Sequence, residues 1–320
     1  SEKNVKSSLL RILKPKEVFS RKKLEQAKGS IAYLLGNSGY PFPDIVAVPI
    51  IDDETNIVDI EFRVNPGQRS MVRRINIRGN DNTNDEVYRR ELRQYESSLH
   101  NNSQIERSAI RIQRLKFVEN VDVQKTKVPG ANDLVDLTFN IKERQSGEFK
   151  VSAGWSDVDG AIFDIKLQQD NFLGGGKNVG VIASKNSVYS SLKLLYTDPY
   201  YTSDGMSKTT NMQLSQTDVS ATSTATYVAD TIAGGVFYLT PISEYASFGI
   251  GYDLKLTDFT TTIGSPVIVT HHIADHGSKS IGLDLTAQYI YDTRDRTVFA
   301  EEGSLYSISP NLFVALDGAS

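Results

Sequence analysis

Ala246-Ser247-Phe248-Gly249-Ile250-Gly251-Tyr252-Asp253-Leu254-Lys255-Leu256 alternates without a break. Its even positions are apolar; its odd positions are Ser, Gly, Gly, Asp and Lys. Period 2 is the signature of a strand with one greasy and one polar face. The run is as long as a tilted strand needs to be to cross a bilayer, about 9–11 residues. Strands in soluble sandwiches average about half that. Residues 161–170 repeat the pattern, with Ala161, Phe163, Ile165 and Leu167 against Asp164, Lys166 and Gln168. So do residues 281–291, with Ile281, Leu283, Leu285, Ala287, Tyr289 and Tyr291 on one side. About nine such strands are expected between 147 and 314. Their polar face carries little bulky filler, so it does not pack like the inside of a sandwich. Tyr200, Tyr201, Tyr245, Tyr289 and Tyr291 fall at or near strand ends, where a membrane-interface girdle sits. The expectation is an antiparallel transmembrane β-barrel, all-β and incomplete.

Working outward, the composition changes sharply near Gly147. Residues 1–146 carry a net charge of +5 and residues 147–320 a net charge of −9, within a total of −4. That shift marks a domain boundary. At 39% apolar and 23% charged residues, with mean hydropathy −0.31, the chain is neither disordered nor a helical membrane protein. The longest apolar candidate, Tyr227 to Ile242, is interrupted by Asp230, Gly234, Gly235 and Pro241. Without cysteine there are no disulfides, no thiol chemistry and no Cys-ligated zinc. No signal-peptide pattern stands at Ser1, so a cytosolic chain or a mature or truncated segment is expected.

The basic half contains a repeat. Ile57-Val58-Asp59-Ile60-Glu61-Phe62-Arg63-Val64 matches Leu134-Val135-Asp136-Leu137-Thr138-Phe139-Asn140-Ile141 at an offset of 77. A helical stripe precedes each: Leu24, Ala27, Ile31, Leu34 and Leu35, then Ile105, Ala109, Ile112 and Leu115. Thr83 with Glu86 and Ser103 with Glu106 read as capping boxes. The second unit reads strand 71–78, helix 84–95, helix 104–116, strand 119–125, strand 133–142, a βααββ module. The first lacks the opening strand. Expected domains are therefore 1–67, 68–146 and 147–320.

Several chemical signals are weak. Arg73, Arg74, Arg78, Arg89, Arg90 and Arg93 are offset by acidic neighbours and have no interleaved aromatics, so nucleic acid is not an expected partner. His271, His272 and His276 with Asp275 are thin grounds for a metal. Gly174-Gly175-Gly176 lacks the Lys-Ser/Thr of a phosphate loop and reads as a turn. No Gly-x-Ser-x-Gly elbow accompanies the Ser, His and Asp residues. Asp292, Arg294 and Asp295 read as paired structural charges. No catalytic residue, metal or cofactor is expected.

The two repeats resemble POTRA domains, with Arg73-Arg74-Ile75-Asn76-Ile77-Arg78-Gly79-Asn80 as the module's typical opening strand. The alternating half resembles an Omp85-type barrel. Three motifs strengthen the resemblance: Gln169-Asp170-Asn171-Phe172-Leu173-Gly174-Gly175-Gly176, Asp198-Pro199-Tyr200-Tyr201-Thr202-Ser203-Asp204-Gly205 and Tyr291-Asp292-Thr293-Arg294-Asp295. The resemblance implies the last two of five periplasmic POTRA domains and about the first nine of sixteen strands in the outer membrane. The Arg-containing motif of the sixth loop and the closing strand are not in the sequence. It also implies a non-enzymatic role, folding and inserting outer-membrane proteins in concert with outer-membrane lipoproteins, unfolded clients and lipid.

Three sets of residues then become candidates. The first barrel strand, Gly147-Glu148-Phe149-Lys150-Val151-Ser152-Ala153-Gly154-Trp155, corresponds to one side of the family's lateral gate. Ile45, Val46, Ala47 and Val48, with Val121, Asp122 and Val123, correspond to POTRA edge strands that can add a client segment. Glu96 falls where the last POTRA contacts a partner lipoprotein. The alternatives are a two-partner secretion pore of the same superfamily and, from another class, an outer-membrane lipase or protease. With two open sheet edges, the isolated chain is expected to aggregate or to require detergent.

Overall fold

Why each segment adopts its conformation is clearest in the first module. Ser20 caps a helix, its hydroxyl accepting from Lys23 N, and α1 (Arg21–Asn37) buries Leu24, Ala27 and Ile31. These are the three strongest members of the predicted stripe. Gly39, at φ +98°, ends the turn that follows. Two antiparallel strands follow, β1 (Asp44–Asp52) and β2 (Ile57–Asn65). The computed structural model describes residues 12–13, 17–52, 54, 57–157, 160–219, 226–261, 264–294 and 300–316. The helix expected to start near Ser1 lies largely outside them.

The second module runs β3 (Met71–Arg78), α2 (Asp85–Arg89), α3 (Asn102–Gln113), β4 (Val118–Val128) and β5 (Ala131–Glu143). The sheet order is β3-β5-β4, with β3 parallel to β5 and β4 antiparallel to it. Val135, Leu137, Phe139 and Ile141, the alternating positions of the repeat, pack with Val72, Ile75, Tyr88, Ile105, Ile112 and Phe117 into one core. Two expectations need correction. The helix predicted over 84–95 stops at Arg89. Beyond it the buried Gln94 amide donates to Ser98 Oγ and Leu99 O and accepts from Asn101 N, so a side chain organises the backbone there. The second capping residue is Asn101 rather than Ser103, its side chain accepting from Gln104 N at 3.1 Å.

The modules form one unit, Ser1–Asp81 with Asp85–Glu143. The last carbonyls of a helix have no partner within it. In α1 they are met by the second module. Asn102 Nδ2 donates to Tyr33 O, His100 Nδ1 to Gly36 O at 3.1 Å, and Asn101 Nδ2 to Asn37 O. Just beyond the helix, Arg69 Nε donates to Ser38 O at 3.0 Å.

The second unit comprises Asn82–Asn84 and Arg144–Ser320. Its antiparallel meander runs β6 (Gly147–Ser156), β7 (Gly160–Phe172), β8 (Lys177–Lys185), β9 (Tyr189–Asp198), β10 (Ser207–Asp218), β11 (Tyr227–Pro241), β12 (Ala246–Thr261), β13 (Lys279–Asp292), β14 (Leu305–Ile308) and β15 (Asn311–Ala315). A short helix, α4 (Val267–His276), lies between β12 and β13. Spatial order equals chain order, and β14 and β15 both pair with β13, so they share one strand position. The register aligns the apolar positions into rows. One row joins Phe149, Leu167, Val181, Leu194, Met212, Gly234, Leu254, Leu283 and Val314. Much of this face is exposed, which in water would be an aggregation surface.

The opposite face is bonded rather than greasy. Lys166 pairs with Glu148 at 3.0 Å, Asn211 donates to Asp253 at 2.7 Å, and Lys255 pairs with Asp284. Where this face needs bulk, aromatic rings lie over glycines: a Cβ on Gly251 would meet the Phe237 ring at 2.6 Å. A ring laid flat over a strand glycine replaces the missing side chain and admits sheet curvature.

Candidate functional site

The first barrel strand is exposed at nine of its ten residues. β6 pairs with β7 over ten residues, from Gly147↔Gln169 to Ser156↔Gly160, without a bulge. Among the described residues nothing pairs with its other edge. Phe149 and Trp155 are 70% and 77% exposed. The cross-strand pairs differ by face: Phe149 lies opposite Leu167 and Val151 opposite Ile165 on the apolar side, and the polar side is less well matched. Lys150 lies opposite Lys166, a like-charge pair that disfavours association, relieved by the diagonal Glu148–Lys166 bridge. Ser152 donates to Asp164 at 3.3 Å. Backbone N–H and C=O groups point alternately to the two edges of a strand, so about half of the ten residues of β6 direct theirs away from β7.

The POTRA candidates are also edges. Ile45–Val48 lie in β1, which pairs only with β2 among the described residues; Val121, Asp122 and Val123 lie in β4, which pairs only with β5. Glu96 has work within the fold: its carboxylate accepts from Ile75 N at 2.7 Å and stands 3.8 Å from Arg89. Glu96→Ala should therefore destabilise the second module by roughly 1–2 kcal/mol, the usual cost of removing a charged acceptor from a backbone N–H. Chemical denaturation would measure it; no loss would mean that water replaces the carboxylate.

The motifs resolve into turns. Asn171 Oδ1 accepts from Gly176 N at 2.8 Å, and Leu173, Gly174 and Gly176 all adopt positive φ, which glycine tolerates best. Asp198 Oδ1 accepts from Tyr200 N, and Tyr201 N donates to Met206 O. Arg294 grips Asp292 through two bonds of 3.0 Å, the paired charges expected there; Asp295 lies outside the described residues. His271, His272 and His276 lie on α4, where the His272 and His276 rings stack 5.1 Å apart. Among the described residues no three His, Cys, Asp or Glu side chains are placed to hold a metal.

One residue outside these sets was not anticipated. His100 is completely buried between the two modules, with Nε2 unpartnered. Burial, with the Lys125 ammonium adding to it, pushes its pKa down to about 4. Burial also lowers Lys125, which donates to Asn102 Oδ1 at 2.6 Å. An isolated histidine in a loop has no sequence signal for this position.

A spanning sheet with a lipid-compatible outer face, following paired βααββ-type modules, defines an outer-membrane barrel protein with periplasmic modules. Comparisons with known proteins agree. The model of the Omp85 superfamily domain matches residues 171–320, and the POTRA model, described as a surface antigen variable number repeat, matches 2–67 and 70–144. The chain belongs to the Omp85 superfamily. It is 33% identical over 274 residues to the outer membrane protein assembly factor BamA of Neisseria meningitidis serogroup B, covering 85% of this chain and 34% of that one. It superposes on the crystal structure of BamA from Haemophilus ducreyi lacking POTRA domains 1–3 with a TM-score of 0.80 at 28% identity, covering 98% of this chain and 61% of that chain. CdiB from Acinetobacter baumannii, at 15% identity and a TM-score of 0.50, shares the fold alone. The chain spans about a third of the length of its curated BamA relative. The kinship places the sheet in the outer membrane with the POTRA modules in the periplasm.

Proposed function

We propose that the chain is the working core of an outer-membrane protein assembly factor of the BamA type, folding and inserting other β-barrels. One observation carries the reading: β6, the strand that opens the sheet, is an edge strand that among the described residues bonds only to β7, in a chain of the Omp85 superfamily. A strand entering hydrocarbon must satisfy every backbone N–H and C=O, because no water is there to do so. The edge of β6 supplies those partners as a template. Affinity then comes from main-chain bonds, with side chains setting only the register. No covalent step is required, so the role is not that of an enzyme.

The POTRA edges β1 and β4 would hold extended client segments by the same augmentation before they reach the seam. Glu96 would present its exposed carboxylate oxygen to a BamD-like lipoprotein while the other holds Ile75 N. The partners are thus unfolded outer-membrane clients, lipoproteins of the assembly complex and outer-membrane lipid.

The absence of cysteine makes the test clean. Single cysteines placed along β6, at Lys150 and Ser152, are expected to form disulfides with a cysteine in the terminal strand of a stalled client. Register makes the yield alternate with a two-residue period along the client. A cysteine at Ser215, inside the sheet, should give none. Equal crosslinking at Ser215, or none at β6, would remove the seam from the mechanism.

A further inference from the structure

Among the described residues the outward face of the sheet is apolar through its middle rows, and its charged side chains gather toward the strand ends, one group of them at a corner of the periplasmic end. There Lys177 opens β8 and Lys208 opens β10, both directed to the lipid side by the register that puts Val179, Met212 and Tyr238 there. Charges on this side of a barrel are tolerated only near headgroup depth. Asp198, across from Lys208, is engaged by Lys177 at 3.1 Å and by Tyr200 N. Lys208 instead lies over aromatic rings, 4.8 Å from the Tyr201 centroid and 5.8 Å from that of Tyr238. Tyr238 also forms one wall of a notch of about 510 Å³ cut into the lipid-facing side, lined further by Ile250, Tyr252, Leu285, Ala287 and Leu312. The notch borders Pro310, where β14 gives way to β15.

A fixed cation on a tyrosine platform, sharing a wall with an apolar slot, matches a molecule with an anionic head and a hydrocarbon tail. We propose that this corner is a binding site for one anionic glycerophospholipid. Its phosphate sits on the Lys208 ammonium and the Tyr201 and Tyr238 rings flank the headgroup. One acyl chain fills the notch between Ile250 and Leu285. The volume lies within the range of small-molecule pockets. The ammonium supplies about a fivefold preference for an anionic over a zwitterionic head, the usual effect of one basic side chain at a charged membrane surface. Because the site faces lipid and not the seam, it stands independently of the assembly mechanism.

Native mass spectrometry of the intact protein, released from micelles doped with equal phosphatidylglycerol and phosphatidylcholine, tests this. The wild type should retain phosphatidylglycerol in about fivefold excess. Lys208→Gln should bring the ratio near one with the total lipid unchanged. Ala287→Phe fills the notch and should lower retention of both lipids, and Leu312→Trp serves the same purpose if the first variant does not fold. Equal retention of the two lipids by the wild type, an unchanged ratio in Lys208→Gln, or full retention by the folded notch variants would each overturn the proposal.

Discussion

Acidification from pH 7 to pH 4 is expected to loosen the paired POTRA modules, and His100→Gln is expected to remove most of that sensitivity. His100 is fully buried, its Nδ1 donates to Gly36 O, and Nε2 has no acceptor for a second proton. Lys125 faces it from β4, while Arg69 and the Tyr33–Glu106 pair border the same junction. The folded pKa of about 4 lies below the ordinary value of 6.5. Between those values the unfolded chain holds a proton that the folded chain refuses, so stability rises with pH across this window. The contribution is complete above about pH 6.5 and is lost as pH falls toward 4. A shift of this size corresponds to roughly 3 kcal/mol. Carboxylates also titrate there, so the measurement is the difference between wild type and His100→Gln in denaturant titrations at pH 7, 5.5 and 4.5. Parallel curves for the two proteins would show that the histidine bears none of the acid sensitivity.

The second large effect separates the two faces of the sheet. Met212 and Gln213 are adjacent at the middle of β10. Met212 shares the outer apolar row with Leu194 and Gly234, and Gln213 donates inward to Tyr189 Oη at 3.1 Å. Met212→Arg should cost about 2–4 kcal/mol in a bilayer, the penalty for a guanidinium near the midplane. Gln213→Arg loses one hydrogen bond and should cost about 1 kcal/mol. Urea titration of the protein folded into vesicles, followed through its single tryptophan, Trp155, gives both values. Equal costs would contradict hydrocarbon contact on the Met212 side.

Much of this architecture was legible from local pattern. Alternation identifies a strand and its greasy side because successive side chains of an extended chain point to opposite faces. The runs at 161–170, 246–256 and 281–291 therefore announced long two-faced strands, and the 57–64 and 134–141 match announced the repeated module. The helix ends at Arg89 rather than at 95, and the stretch beyond it is organised by the Gln94 side chain through bonds to Ser98, Leu99 and Asn101, which periodicity cannot register. Asn101, two residues before Ser103, carries an equally good capping acceptor, and local pattern does not choose between the two.

What the amino-acid order determined by itself is everything set within a few residues: strand length, which face is apolar, the Asn171 and Asp198 turns, and the family motifs. Only tertiary structure decided which residues stand side by side across strands and modules. It set Lys150 against Lys166, brought Lys208 onto Tyr201 and Tyr238, and closed the end of α1 with a histidine 64 residues away. The reason is physical. Side-chain periodicity is a property of one strand, whereas register and burial arise from hydrogen bonds and contacts between segments distant in the chain, which no local pattern encodes.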